Sequence, residues 1–141
     1  MTSVDFYILN SPQQNAVSVF ACKLTEKAFR QGHQVFINTA SDTQLQQLDD
    51  LLWTFRAGSF VPHAVYSEGA ADQPPVVLGH AAEPADSHDV LVNMATDVPS
   101  WFGRFDRVAE LVSGDDTQRN GARQRYRFYQ DRGYTLKSHH I

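Results

Sequence analysis

The chain has a single cysteine, Cys22, so no internal disulfide can form and the fold must hold by packing alone. No apolar run approaches the roughly 20 residues that a bilayer-spanning helix requires. The opening Met1-Thr2-Ser3-Val4-Asp5-Phe6 lacks the basic region and long apolar stretch of a secretory signal, so a cytoplasmic protein is expected. Neither a G-x-G-x-x-G nor a G-x-x-x-x-G-K-[ST] pattern occurs, and the turn after the first expected strand holds neither glycine nor lysine. Backbone amides cannot approach a pyrophosphate closely without such glycines, which removes the binding chemistry of P-loop and dinucleotide folds. The six histidines (His33, His63, His80, His88, His139, His140) show no H-E-x-x-H spacing, and no C-x-x-C is present, so neither a metal nor a cofactor is expected. Ser59 in Gly58-Ser59-Phe60 lacks the second glycine of a nucleophile elbow, and Cys22 sits mid-helix as a small hydrophobe. Nothing assembles an acid, a base and a nucleophile, so catalytic residues are not expected. A net charge of −4 argues against coating of nucleic acid by the whole surface.

What is present is enough for one folded domain, residues 1–141. The length of 141 residues and an apolar fraction of 42% allow a single substantial core. Val4 to Leu9 is a β-branched and aromatic run that reads as a buried strand. Helical spacing of Val17, Phe20, Ala21, Leu24 and Ala28 predicts a helix from about Gln14 to Gln31, stopped by Gly32. Gln34 to Asn38 reads as a second strand, completing a βαβ unit of a parallel sheet. Ser41 is positioned to cap a helix over Asp42 to Thr54, with Leu45, Leu48, Leu51 and Leu52 inward. Further strands are expected at Val76 to Gly79, Asp89 to Met94 and Asp106 to Val112, with a short helical turn at Pro99 to Phe102. Arg56 to Pro62 and Ser67 to Pro75 read as loops. Asp115-Asp116 opens a last helix that runs to about Arg132 and stops at Gly133. The expected class is a three-layer α/β/α domain with a mainly parallel sheet of about five strands, Rossmann-like but without a phosphate-binding loop.

Charge is segregated along the chain. From Thr117 to Ile141 six basic residues face one acid, a balance of +5, whereas the preceding 116 residues hold six basic residues and fifteen acids, a balance of −9. Acids at a helix start and cations downstream complement the helix dipole, which accounts for part of the pattern. The remainder points to a local docking surface for something anionic. On the last helix Arg119, Arg123 and Arg127 recur at i, i+4 and i+8, with Tyr126 beside them and an apolar strip of Ala122, Tyr126 and Tyr129. A row of guanidinium groups bordering an aromatic pocket suits a peptide that ends in an apolar side chain and a carboxylate. A second segment, Leu51 to His63, places Trp53, Phe55 and Phe60 at a helix end and in a Gly/Pro-broken loop. Burying all three together is difficult, and exposed aromatics mark partner surfaces.

These same two segments carry a resemblance. The opening Phe6-Tyr7-Ile8-Leu9, the Leu52-Trp53…Ser59-Phe60-Val61-Pro62-His63 block, Asp89-Val90-Leu91-Val92 and the ending Arg123-Gln124-Arg125-Tyr126-Arg127…Tyr129…Gly133-Tyr134 resemble the chi subunits of bacterial DNA polymerase III holoenzyme, part of the clamp-loader assembly. The resemblance implies a non-catalytic adaptor. It implies that Arg119, Arg123, Tyr126 and Arg127 bind the acidic C-terminal tail of single-stranded-DNA-binding protein, which ends in Asp-Ile-Pro-Phe. It also implies that Trp53, Phe60, Pro62 and His63 face the psi subunit, a surface that a helicase-like partner could share. The competing reading from another class is a direct single-stranded nucleic-acid-binding module that sets the arginine row on phosphates. A small nucleotide-dependent enzyme has only the analogy of fold behind it.

Overall fold

The computed structural model describes residues 2–11, 13, 15–69, 72–85 and 89–141. The expected helix start near Gln14, part of the expected loop Ser67 to Pro75, and His88 lie outside them.

Seven strands form one all-parallel sheet: β1 (Ser3–Ile8), β2 (Val35–Thr39), β3 (His63–Val65), β4 (Val76–His80), β5 (Val90–Asn93), β6 (Arg107–Val112) and β7 (Thr135–His140), in the order β3-β4-β2-β5-β6-β1-β7. Helices α1 (Ala16–Arg30) and α2 (Asp42–Thr54) share one core with the sheet, and α3 (Asp116–Asp131) shares the other together with a 3-10 turn at Phe102–Arg104. Strand alternation produces this division. Val35 and Ile37 pack with Ala21, Cys22, Leu48 and Leu52 on one face, while Phe36 points to the other and packs with Phe102, Phe105 and Tyr129.

The expected α/β class is therefore present, with a count corrected from about five strands to seven. The two additional strands, β3 and β7, are the sheet edges. β3 is three residues long, and β7 reads Thr-Leu-Lys-Ser-His-His with most side chains exposed, so neither has the apolar density of a buried strand.

Local chemistry sets the helix ends. Ser41 Oγ accepts from the Gln44 amide at 3.1 Å while Gln44 Oε1 accepts from the Ala40 amide at 2.7 Å, a reciprocal cap that starts α2 where Ser41 predicts. Asp115 Oδ1 accepts from the Thr117 amide at 2.7 Å and starts α3. At the far end Gly133 takes a left-handed φ of 79°, and its amide bonds Gln130 O at 3.0 Å. That reversal turns the chain back along β1 as β7.

A buried polar group ties α3 to the sheet. Glu110 on β6 is fully buried; it accepts from Arg125 Nε at 2.9 Å, from Tyr129 Oη at 2.7 Å and from Asn93 Nδ2 at 2.9 Å. Asn93 in turn accepts from Asn38 Nδ2 at 3.0 Å, so the group reaches across β2, β5, β6 and α3. Arg125 is thereby committed to the interior, although it stands between Arg123 and Arg127 in sequence.

Candidate functional site

The carboxyl end of β6 leads through Ser113-Gly114 into α3, and the first turns of α3 lie over the ends of β1 and β7. Gly114 permits this approach: a Cβ there would meet Ser11 O at 2.9 Å and Asn10 O at 3.1 Å. Between α3 and the strands a cleft of about 300 Å³ opens. Its apolar lining is Phe6 and Ile8 of β1, Val112 of β6, and Ala122 and Tyr126 of α3. Tyr126 is held by Phe6, with ring centroids 5.2 Å apart and planes at 57°. Arg119, Arg123, Asn10, Ser138 and His140 supply the polar lining.

The arginines here are electrostatically open. Among the described residues none of Arg119, Arg123 and Arg127 makes an ion pair, in contrast to Arg125. Arg123 Nη1 donates only to Asn120 Oδ1, at 3.1 Å on the exposed surface. Arg119 Nε is buried with no hydrogen-bond partner among the described residues, and an unsatisfied buried donor costs about 1–3 kcal/mol. An apolar cavity edged by uncompensated guanidinium groups can take a ring and a carboxylate together. Arg119, Arg123 and Tyr126 thus meet as the helical spacing predicts, while Arg127 is exposed and lies outside the cleft lining. Phe6, Ile8, Asn10, Val112, Ser138 and His140 were not legible as site residues. They come from other elements, and only strand pairing brings them beneath α3.

The second surface lies at the opposite edge of the sheet. Trp53 is 58% exposed and Phe60 81% exposed, whereas Phe55, the third aromatic of the segment, packs against the core. His63 takes a different part from its neighbours. Its imidazole is buried under the Trp53 ring, with centroids 4.4 Å apart, and its nitrogens contact Val61 O at 2.7 Å and Asp49 O at 3.0 Å. It props Trp53 outward. Pro62 is exposed, and Val65 on β3 adds a further 44% exposed apolar side chain.

Phe60 is held out by a buried latch that spacing alone did not indicate. Ser59 Oγ donates to the buried Glu26 carboxylate of α1, and the Arg56 guanidinium closes on the same carboxylate. Glu26 also lies 3.6 Å from Arg30. The latch therefore fixes the loop before Phe60, the buried Val61 anchors it after, and the Ser59 hydroxyl serves this latch. Burial pushes the Cys22 thiol up to about 12, which makes it a poor nucleophile. Among the described residues no cluster of His, Cys, Asp or Glu could hold a metal, and no helix is long and apolar enough to cross a membrane.

Comparison with known proteins agrees with this architecture. A crystal structure of T4 UvsW matches 99% of this chain over 42% of its own length, with a TM-score of 0.69 and 8% identity, which is a likeness of fold alone. The DNA polymerase III subunit chi of Pseudomonas aeruginosa is 41% identical over 141 residues, covering 100% of this chain and 98% of its own. The subunits of the same name from Escherichia coli K12 and Haemophilus influenzae are 29% and 26% identical, covering 98% and 99% of this chain and 97% of each relative. The model of the family described as "DNA polymerase III chi subunit, HolC" matches residues 1–137. With the family model over residues 1–137 and a relative 41% identical over the whole chain, the chain belongs to the chi-subunit family of DNA polymerase III, accessory subunits of the replicative polymerase.

Proposed function

We propose that the chain is a cytoplasmic, non-catalytic adaptor of the polymerase III clamp loader, with two docking surfaces at opposite edges of one sheet. The α3 cleft takes the acidic C-terminal tail of single-stranded-DNA-binding protein. The terminal aromatic ring enters beside Tyr126 and Phe6, Arg119 and Arg123 grip the terminal carboxylate, and Arg127 draws in the acidic residues upstream. The surface of Trp53, Phe60 and Pro62, propped by His63, takes the psi subunit, and a helicase-like partner would compete for it. The observation that carries the tail reading is the cleft itself, where an unpartnered Arg119 Nε and an unpaired Arg123 border an apolar cavity.

Magnitudes fit a tether. Burying about 150 Å² of a terminal phenyl group contributes roughly 4 kcal/mol at about 25 cal/mol per Å². Exposed arginine–carboxylate pairs add about 0.2–1 kcal/mol each. After the cost of association the sum corresponds to roughly micromolar affinity, weakened by salt. Many tails on neighbouring partner molecules would raise the effective concentration.

The test is titration of an acidic peptide ending in Asp-Ile-Pro-Phe against the chain and its Arg123→Ala and Tyr126→Ala variants. Each substitution should weaken binding about tenfold or more, and amidation of the peptide's terminal carboxylate should do the same. Unchanged affinity in both variants refutes the assignment. Tight, steeply salt-dependent binding of a bare single-stranded oligonucleotide, lost in the same variants, would replace it with direct nucleic-acid recognition.

A further inference from the structure

The cleft does not end at its own walls. Ser138 and His140 line it, and both belong to β7, the outermost strand of the sheet. The backbone register of β7 can be followed from its last residue. Ile141 N–H donates to Ile8 O at 2.9 Å, and Asn10 N–H donates to Ile141 O at 3.3 Å, so both main-chain groups of Ile141 face β1. In a parallel ladder every second residue turns both groups toward the same neighbour. Thr135, Lys137 and His139 therefore share the orientation of Ile141. Leu136, Ser138 and His140 turn their amides and carbonyls outward, to an edge on which no further strand is paired among the described residues. Two of the three residues with outward backbone groups thus also place side chains at the cleft.

We infer that the segment preceding the apolar C-terminus of a bound acidic tail adds to the open edge of β7 as an eighth, parallel strand. This deepens the tail-binding reading and rests on it. Direction follows from the placement of the arginines. Arg119 and Arg123 stand over the carboxyl ends of β1, β6 and β7, so a carboxylate gripped there leaves the upstream residues running back toward Thr135. The tail then has the same polarity as every strand of the sheet. Charge matches as well: Lys137 lies along β7, while Asp5 of the neighbouring strand is already engaged by His139 Nε2 at 3.0 Å. Main-chain hydrogen bonds give affinity with little demand on side-chain identity, so the acidic segment need supply only extended backbone and charge. Unprotected edge strands are otherwise a liability in folded proteins.

The experiment uses the full chain and synthetic peptides read by fluorescence anisotropy. The four-residue Asp-Ile-Pro-Phe peptide occupies the cleft alone, and an acidic peptide about ten residues long with the same ending can also reach the length of β7. The longer peptide should bind roughly tenfold tighter. N-methylation of alternate backbone nitrogens upstream of the proline should remove that gain in one phase and leave it intact in the other, because only one set of amides faces β7. Replacing the upstream acids by serine lowers affinity yet should preserve the dependence on phase. On saturation the amides of Leu136, Ser138 and His140 should exchange with solvent more slowly. Equal effects of the two methylation phases, or unchanged exchange at those three amides, overturn strand addition while the cleft reading stands. Absence of any binding by the four-residue peptide overturns the cleft reading, and strand addition falls with it.

Discussion

Arg125→Met is the sharpest test of how the last helix divides its arginines. Arg125 lies in the same basic run as Arg123 and Arg127, yet it is 5% exposed and its Nε bonds a fully buried Glu110 at 2.9 Å. Its Nη1 also donates to Thr96 O at 3.2 Å. Methionine keeps much of the length and removes the charge, leaving Glu110 with only Asn93 and Tyr129. Breaking one side of a buried pair costs about 3–5 kcal/mol, against a typical total stability of about 5–15 kcal/mol. The melting temperature should fall by roughly 10 °C or more. Urea unfolding followed by circular dichroism should show a lower midpoint at unchanged slope.

The pH dependence has a definite sign. Burial pushes the Glu110 carboxyl above its ordinary range, and the Arg125 guanidinium, with the Asn93 and Tyr129 hydrogen bonds, pulls it back. A carboxyl raised in the folded state binds its proton more tightly there than in the unfolded chain. Its contribution is full below the unfolded value and is lost as pH rises through the folded one. Removing Arg125 raises the folded value further, so the deficit of Arg125→Met should grow as pH rises above the wild-type folded value, which itself lies above the ordinary carboxylate range. Adding Glu110→Gln should recover most of the loss, because an uncharged amide tolerates the interior. A cost below about 0.5 kcal/mol for Arg125→Met, or an equal cost in the Glu110→Gln background, would refute the pairing as the cause.

Two further substitutions test the frame around the surfaces. Ser59→Ala removes a donor to the buried Glu26 and should cost about 1.5–3 kcal/mol in urea unfolding, and the proposed psi contact should weaken in a pull-down as the Phe60 loop loosens; an unchanged midpoint contradicts the latch. Gly79→Ala would set a Cβ 2.5 Å from Phe36 Cζ, and overpacking there should cost about 1–3 kcal/mol by thermal melting; a neutral result would mean that the Phe36 ring shifts freely.

Much of the fold was written in local patterns. Periodicity located α1, α2 and α3, and Ser41 and Gly133 marked helix ends where capping and a left-handed φ occur. The strands that apolar density revealed are the inner ones, because burial on both faces demands it. β3 and β7 carry no such signal, since an edge strand needs only one partner and leaves its side chains in water. The arginine row with Tyr126, and the outward Trp53 and Phe60, were likewise visible as helical spacing and an excess of aromatics.

Sequence alone determined that a basic helix and an aromatic loop would stand apart from an acidic α/β body, because charge sign and side-chain period are local properties. Tertiary structure decided which arginine faces which way: Glu110, fifteen residues before Arg125, draws that one side chain inward and leaves Arg119 and Arg123 at the cleft. It also decided what the cleft is made of, since Phe6, Val112 and His140 meet only after parallel pairing has placed β6, β1 and β7 side by side. Such pairing is a long-range choice of neighbours, and no local stretch of the chain encodes it.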